Sequence, residues 1–122
     1  MCVTYDLIGC ADPDPAPEAL LDAMRHAAAL LGTRIRAELP VTFQPHGSTC
    51  VIVLAESHLV VSTWPEHRLA HADLTTCRAD IPPERALAPV RKLLDPHATH
   101  LQHVPRHFPP SRHTVRKTRP KV

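Results

Sequence analysis

Two apolar runs, CVIVLA (Cys50–Ala55) and HLVVST (His58–Thr63), are parted only by Glu56 and Ser57. Each run is too short for an independent helix and too apolar for a loop, so each reads as a buried strand. Two strands joined so tightly form a hairpin, and a hairpin turn favours Asn-Gly or Asp-Gly. Glu56–Ser57 is neither, so the turn residues themselves need a reason.

The rest of the chain arranges itself around this pair. VTYDLI (Val3–Ile8) reads as a first strand ending at Gly9, followed by a stiff link, ADPDPAP. Glu18–Leu31 reads as a helix, with Leu20, Leu21, Met24, Ala27, Ala28 and Leu31 on one face and Gly32 at its C-terminal cap. Thr33–Leu39 alternates, with Ile35, Ala37 and Leu39 on one side of a half-buried strand. PVTFQPHGST is expected to be a loop, Leu69–Thr76 a strand, Glu84–Leu94 a second helix weakened at Pro89, and Ala98–Val104 a last strand. The order is β-α-β-β then β-β-α-β, two similar halves meeting at Glu56–Ser57. It predicts an α+β two-layer sandwich, an antiparallel sheet with the helices on one face.

The 122 residues amount to one domain. Aromatic residues are 3% of the chain, so the core is expected to be aliphatic and thin, and a dimer would help it. No run approaches the roughly 20 apolar residues of a membrane span. No secretory signal is evident, so the cytoplasm is the expected compartment. Cys2, Cys10, Cys50 and Cys77 form no CxxC pair, which suggests free thiols rather than zinc, a redox dithiol or disulfides. Residues 1–104 hold 12 acidic and 8 basic residues, a net of −4, whereas residues 105–122 hold six basic residues and no acid. The domain therefore spans 1–104, and 105–122 is a basic Pro/Arg/Lys-rich tail expected to be disordered. That tail has no aromatic beyond Phe108 and no motif, so a solubilising role is favoured over a nucleic-acid contact. His97, His100, His103 and His107 lack helical HxxxH spacing and a neighbouring acid, so no metal is expected there.

A serine between two buried strands can act on its own backbone. Its hydroxyl can attack the preceding carbonyl, turning the amide into an ester. Elimination across Cα–Cβ then releases the upstream chain as an acid, and hydrolysis leaves a pyruvoyl ketone. That ketone can form a Schiff base with a substrate amine and serve as an electron sink, as a cofactor would. The plain alternative is that Ser57 is only a turn residue.

Three stretches favour the chemistry. YDLIGC (Tyr5–Cys10), PHGSTCVIVLAESHLVVSTWPE (Pro45–Glu66) and ADLTTC (Ala72–Cys77) resemble, in order and spacing, the bacterial and archaeal S-adenosylmethionine decarboxylase proenzymes. The resemblance covers about residues 3–104 and implies a two-layer α/β sandwich with active sites at a homodimer interface. It implies cleavage at Glu56–Ser57 into a β chain of residues 1–56 and an α chain of residues 57–122 headed by the pyruvoyl from Ser57. Cys77 would be the proton donor after CO2 leaves, a role a thiol suits because its pKa can be set near neutral. Glu66 would bind the ribose hydroxyls and Phe43 would stack on adenine. Trp64 is read as structural. No metal or pyridoxal phosphate is implied. The reaction would be decarboxylation of S-adenosylmethionine to the aminopropyl donor for spermidine.

Three positions depart from the family pattern. Ser62 replaces a histidine understood to act as the base in the elimination, Thr49 replaces a serine, and Arg78 replaces a glycine after the TC pair. Thr49 keeps a hydroxyl for an oxyanion contact. Substitute bases are His46, His58, His67 and His71, although an easy swap is not expected from strand geometry, which puts His58 roughly 13 Å from Ser62. Two alternatives follow from Ser62: a decarboxylase of another amino acid such as ornithine or arginine, or an unprocessed binding or regulatory relative.

Overall fold

The computed structural model of the chain describes residues 1–107; Phe108 and the remainder of the basic tail lie outside the described residues. The elements are β1 (Cys2–Ile8), α1 (Pro17–Leu31), β2 (Ile35–Thr42), β3 (Ser48–Leu54), β4 (His58–Trp64), β5 (Leu69–Thr75), α2 (Pro83–Ala86), α3 (Ala88–Leu94) and β6 (Ala98–His103). All six strands join one antiparallel sheet in the order β2-β3-β4-β5-β1-β6. This is the expected α+β architecture. The element order is also as expected, but the two halves are interleaved: β1 lies between β5 and β6 rather than beside β2 and β3.

Strand alternation decides which face is covered. Val3, Tyr5 and Leu7 of β1, Cys50, Ile52 and Leu54 of β3, Leu59 and Val61 of β4, and Ala70, Ala72 and Leu74 of β5 are buried beneath the helices. α1 contributes the six residues that its periodicity singles out. Pro17 opens this helix, where a missing N–H costs nothing. Gly32 closes it at φ 69°, donating to the Ala28 and Ala29 carbonyls. The core is aliphatic, with Tyr5 its one ring among the described residues.

Leu59 is fully buried near the start of β4. Leu59→Ala is expected to cost about 2–5 kcal/mol, since a leucine-sized void in a packed core relaxes only in part. Urea unfolding should show a lower midpoint at an unchanged slope. A loss below about 1 kcal/mol would mean that the site collapses around the smaller side chain.

Three local expectations are corrected. A bulge between Ile35 and Ala37 shifts the register of β2, so Ala37 faces Val53 and Leu39 faces Val51. Ala37 and Leu39 therefore join the uncovered face, while Ile35 pairs with buried Leu54. The PVTFQPHGST loop is shorter than expected, because Val41–Thr42 and Ser48–Thr49 pair across it. Pro40 is tolerated there because β2 is an edge strand. The second helix is divided at Leu87 (φ −89°, ψ 1°), because Pro89 cannot donate back to residue 85 and starts α3 instead.

Among the described residues the opposite sheet face carries no helix. Leu39, Val41, Val53 and Trp64 are exposed on it, with Val51 and Val60 half-buried between them. A row of polar residues crosses the same face, and it bears on the site described next.

Candidate active site

Hairpin β3–β4 turns through Ala55 and Glu56, closed by the Leu54 N–H donating to the Ser57 carbonyl at 2.8 Å. Arg68 and Asp95 are the only non-glycine residues with positive φ among those described. The turn is therefore not the primed type that Asn-Gly would form, which needs positive φ at both central positions. Glu56 is exposed and Ser57 half-buried. Among the described residues the Ser57 hydroxyl makes no hydrogen bond.

Strand β5 ends beside this turn. The Cys77 thiol donates to the Glu56 carbonyl oxygen at 3.8 Å, a weak sulfur contact. That carbonyl belongs to the Glu56–Ser57 bond. A recess of about 110 Å³ surrounds it, walled by Gly32, Thr33, Ser57, Thr76, Cys77 and Arg78. A ketone built from Ser57 fits this setting: the side chain that must change is unengaged, and a thiol proton is adjacent.

Arg78, in place of a glycine, has a visible structural role. Its guanidinium donates to the Leu31 carbonyl at 2.8 Å and pairs with Asp80 at 3.0 Å. It thus caps the negative end of α1 and forms a wall of the recess. The Asp80 contact holds that carboxyl below the usual carboxylate range. Cys10 and Cys50 are buried in the core, and burial pushes both thiols up. Cys77 is exposed.

The remaining candidates gather at the other end of the hairpin. Phe43, Gln44, Pro45, His46, Thr49, Trp64 and Glu66 line a cleft of about 300 Å³. Phe43 and Trp64 are exposed in it, and the His46 Nδ1 lies 3.7 Å from Glu66 Oε1. The loop that forms this wall is held by Phe43 N–H to Gly47 O at 2.8 Å and by Gly47 N–H to Asp14 Oδ1 at 3.2 Å. Gly47 has φ 96°, and a Cβ there would meet the Thr63 carbonyl at 3.1 Å, so the position requires glycine. Thr49 and Ser62 face each other across β3 and β4 with their hydroxyls 2.9 Å apart.

Thus Ser57 and Cys77 come together, and Phe43, Thr49, Ser62 and Glu66 come together, but the two groups do not meet within one chain. Five residues of extended β4 separate Ser57 from Ser62, roughly 16 Å. Among the described residues no three His, Cys, Asp or Glu side chains converge as a metal site would need. His100 and His103 lie on β6 and His97 just before it. Also among the described residues, no helix is long and apolar enough to cross a membrane.

The model of the S-adenosylmethionine decarboxylase family matches residues 1–107. The chain belongs to that family. The S-adenosylmethionine decarboxylase proenzyme of Thermosipho melanesiensis is 36% identical over 84 residues, 69% of this chain and 65% of the relative. That of Thermotoga petrophila is 37% identical over 78 residues, 64% of this chain and 60% of the relative. The chain thus spans a little under two thirds of these curated relatives. The crystal structure of the adenosylmethionine decarboxylase from Aquifex aeolicus superimposes with a TM-score of 0.72 at 30% identity, covering 83% of this chain and 84% of that one.

Two features of this S-adenosylmethionine decarboxylase family member escaped the sequence reading. Asp6 was read only as part of the YDLIGC stretch, and His71 only as one of four substitute bases. In the structure β4 and β5 pair so that Ser62 stands directly opposite His71. The signal was available in principle. A tight Pro65–His67 turn with Arg68 at φ 50° sets the β4–β5 register, but no turn motif announced it.

Proposed function

We propose that this chain is a pyruvoyl-dependent decarboxylase of S-adenosylmethionine, made by self-cleavage between Glu56 and Ser57, which supplies the aminopropyl donor for spermidine. The observation that carries the reading is the Cys77 thiol 3.8 Å from the Glu56 carbonyl oxygen, in a family of proenzymes. The thiol polarises the carbonyl that the Ser57 hydroxyl attacks. A pyruvoyl group at position 57 supplies an electron sink for the electrons of the breaking C–CO2 bond. Cys77 then returns a proton to the substrate carbon.

The working unit is a homodimer. The bare sheet face exposes Leu39, Val41, Val53 and Trp64, an apolar surface that a second copy of the same sheet would cover. Face-to-face sheets would bring the Ser57–Cys77 end of one protomer toward the Phe43–Glu66 cleft of the other. Phe43 then stacks on adenine, and Glu66, with His46 beside it, accepts hydrogen bonds from the ribose hydroxyls. The Thr49 hydroxyl is available to the oxyanion of the first cleavage step.

The test is an intact mass of the purified protein. Two fragments split at Glu56–Ser57, the larger blocked by a ketone, are expected. A single chain of 13.5 kDa overturns the reading. A free N-terminal serine on the larger fragment would mean ester hydrolysis, and no decarboxylase. CO2 release from S-adenosylmethionine, compared with ornithine and arginine, then identifies the substrate.

A further inference from the structure

The polar row on the bare sheet face runs through consecutive strands. Thr49 on β3 faces Ser62 on β4, Ser62 faces His71 on β5, His71 faces Asp6 on β1, and Asp6 faces His100 on β6. Directly opposed residues in an antiparallel pair have Cβ atoms about 4.5–5.5 Å apart. The Thr49 and Ser62 hydroxyls are 2.9 Å apart, and His71 Nε2 is 3.9 Å from Asp6 Oδ1. The row is thus hydroxyl, hydroxyl, imidazole, carboxylate, imidazole. A base in register with a hydroxyl on one side and an acid on the other is an arrangement that proton-transfer sites use.

We propose that His71, whose Nε2 lies 3.9 Å from Asp6 Oδ1, is the proton acceptor in the self-cleavage of the opposing protomer. It takes up from β5 the place that Ser62 leaves open on β4. The inference rests on the proenzyme reading given above.

Within the row His71 is the group suited to the task. Serine and threonine hydroxyls are not bases near neutral pH, and a carboxylate is a weak one. An ordinary imidazole titrates near pH 6.5 and exchanges protons readily. The other candidates stand elsewhere. His58 is on the same face but about 13 Å along β4 from Ser62. His100 lies beyond Asp6, two strands from His71. His46 faces Glu66, and His67 sits in the turn after β4. The His71 side chain is 44% exposed on the face that a second copy would cover, with the Trp64 ring 6.2 Å away as its neighbour.

The step balances as follows. Ser57 Oγ attacks the Glu56 carbonyl carbon, the C–N bond breaks, and an ester and a free amine result. His71 of the opposing protomer removes the proton from Ser57 Cα. The C–H electron pair becomes the Cα–Cβ double bond, the Cβ–Oγ bond breaks, and Glu56 leaves as the C-terminal carboxylate of residues 1–56. Asp6 stabilises the imidazolium that forms. The enamine takes a proton at Cβ, returned by the imidazolium, and becomes an imine; water adds to the imine carbon and ammonia leaves, giving the ketone.

The experiment moves the histidine. The full chain, His71→Ala, and the double variant His71→Ala with Ser62→His are compared by a mass-resolved time course of cleavage. A hydroxylamine quench cuts any accumulated ester. The wild type should reach the ketone. His71→Ala should form it about 10²-fold more slowly or worse, with ester accumulating. The double variant should recover most of the wild-type rate, a rescue that a merely structural histidine would not give. Ketone formation by His71→Ala at the wild-type rate, or no recovery in the double variant, overturns the assignment and leaves the decarboxylase reading intact. A wild type that never forms the ketone instead takes down that reading, and this inference with it.

Discussion

Ser57→Ala should leave the protein as one uncut chain of 13.5 kDa with no reactive ketone and no decarboxylation. The loss is complete rather than graded under the proposed scheme, in which Oγ is both the attacking atom and the only route to a ketone at position 57. The fold should survive. The contact that closes the turn is from the Leu54 N–H to the Ser57 backbone carbonyl, which alanine keeps. Among the described residues the Ser57 side chain makes no hydrogen bond, so its loss strands no partner. Circular dichroism and a thermal midpoint close to the wild type would separate failed chemistry from failed folding. Cleavage that persisted in Ser57→Ala would place the scissile bond elsewhere and sink the self-processing scheme.

Cys77→Ala should lower turnover by about 10²–10⁴-fold per mole of ketone, the usual contribution of a positioned acid or base. Normalising to ketone matters, because the thiol also touches the Glu56 carbonyl oxygen and its loss should slow maturation. That second effect should be smaller, since a 3.8 Å sulfur contact is a weak hydrogen bond. KM should change little, because in the proposed scheme Cys77 acts only at the reacting carbon while the Phe43–Glu66 cleft, which Cys77 does not line, binds the rest of the substrate. Turnover per ketone equal to the wild type would reduce Cys77 to a wall of the recess.

The outcome of these two variants bears on how the two ends of hairpin β3–β4 cooperate. One end holds the bond to be cut and the thiol, and the other holds an aromatic and carboxylate cleft. A chain with both halves, and with a bare apolar sheet face between them, is incomplete alone under the proposed scheme. This fits its ring-poor core: Leu, Ile, Val and Met fill the helix side, while Trp64 and Phe43 are left exposed.

Much of the fold was legible because it depends on short-range patterning. The continuous apolar runs Cys50–Ala55 and His58–Thr63, the apolar face of α1, Gly32 at its end and Pro89 within the second helix each announce their elements. Family membership was equally legible, since it rests on motif residues at set spacings. Register and order across the sheet were not legible. Local sequence does not encode which strand lies beside which, so the insertion of β1 between β5 and β6 and the bulge in β2 stayed hidden. Pairing is settled by non-local burial: a one-residue slip would turn Leu59, Val61, Ala70, Ala72 and Leu74 out to water. That same constraint puts Ser62 opposite His71 and His71 opposite Asp6, pairings that no motif spells out. The sequence by itself determined the elements, the two-layer class and the Glu56–Ser57 bond as the point of interest. Only the tertiary structure decided which side chains share a row on the open face, because that choice belongs to the packed sheet as a whole.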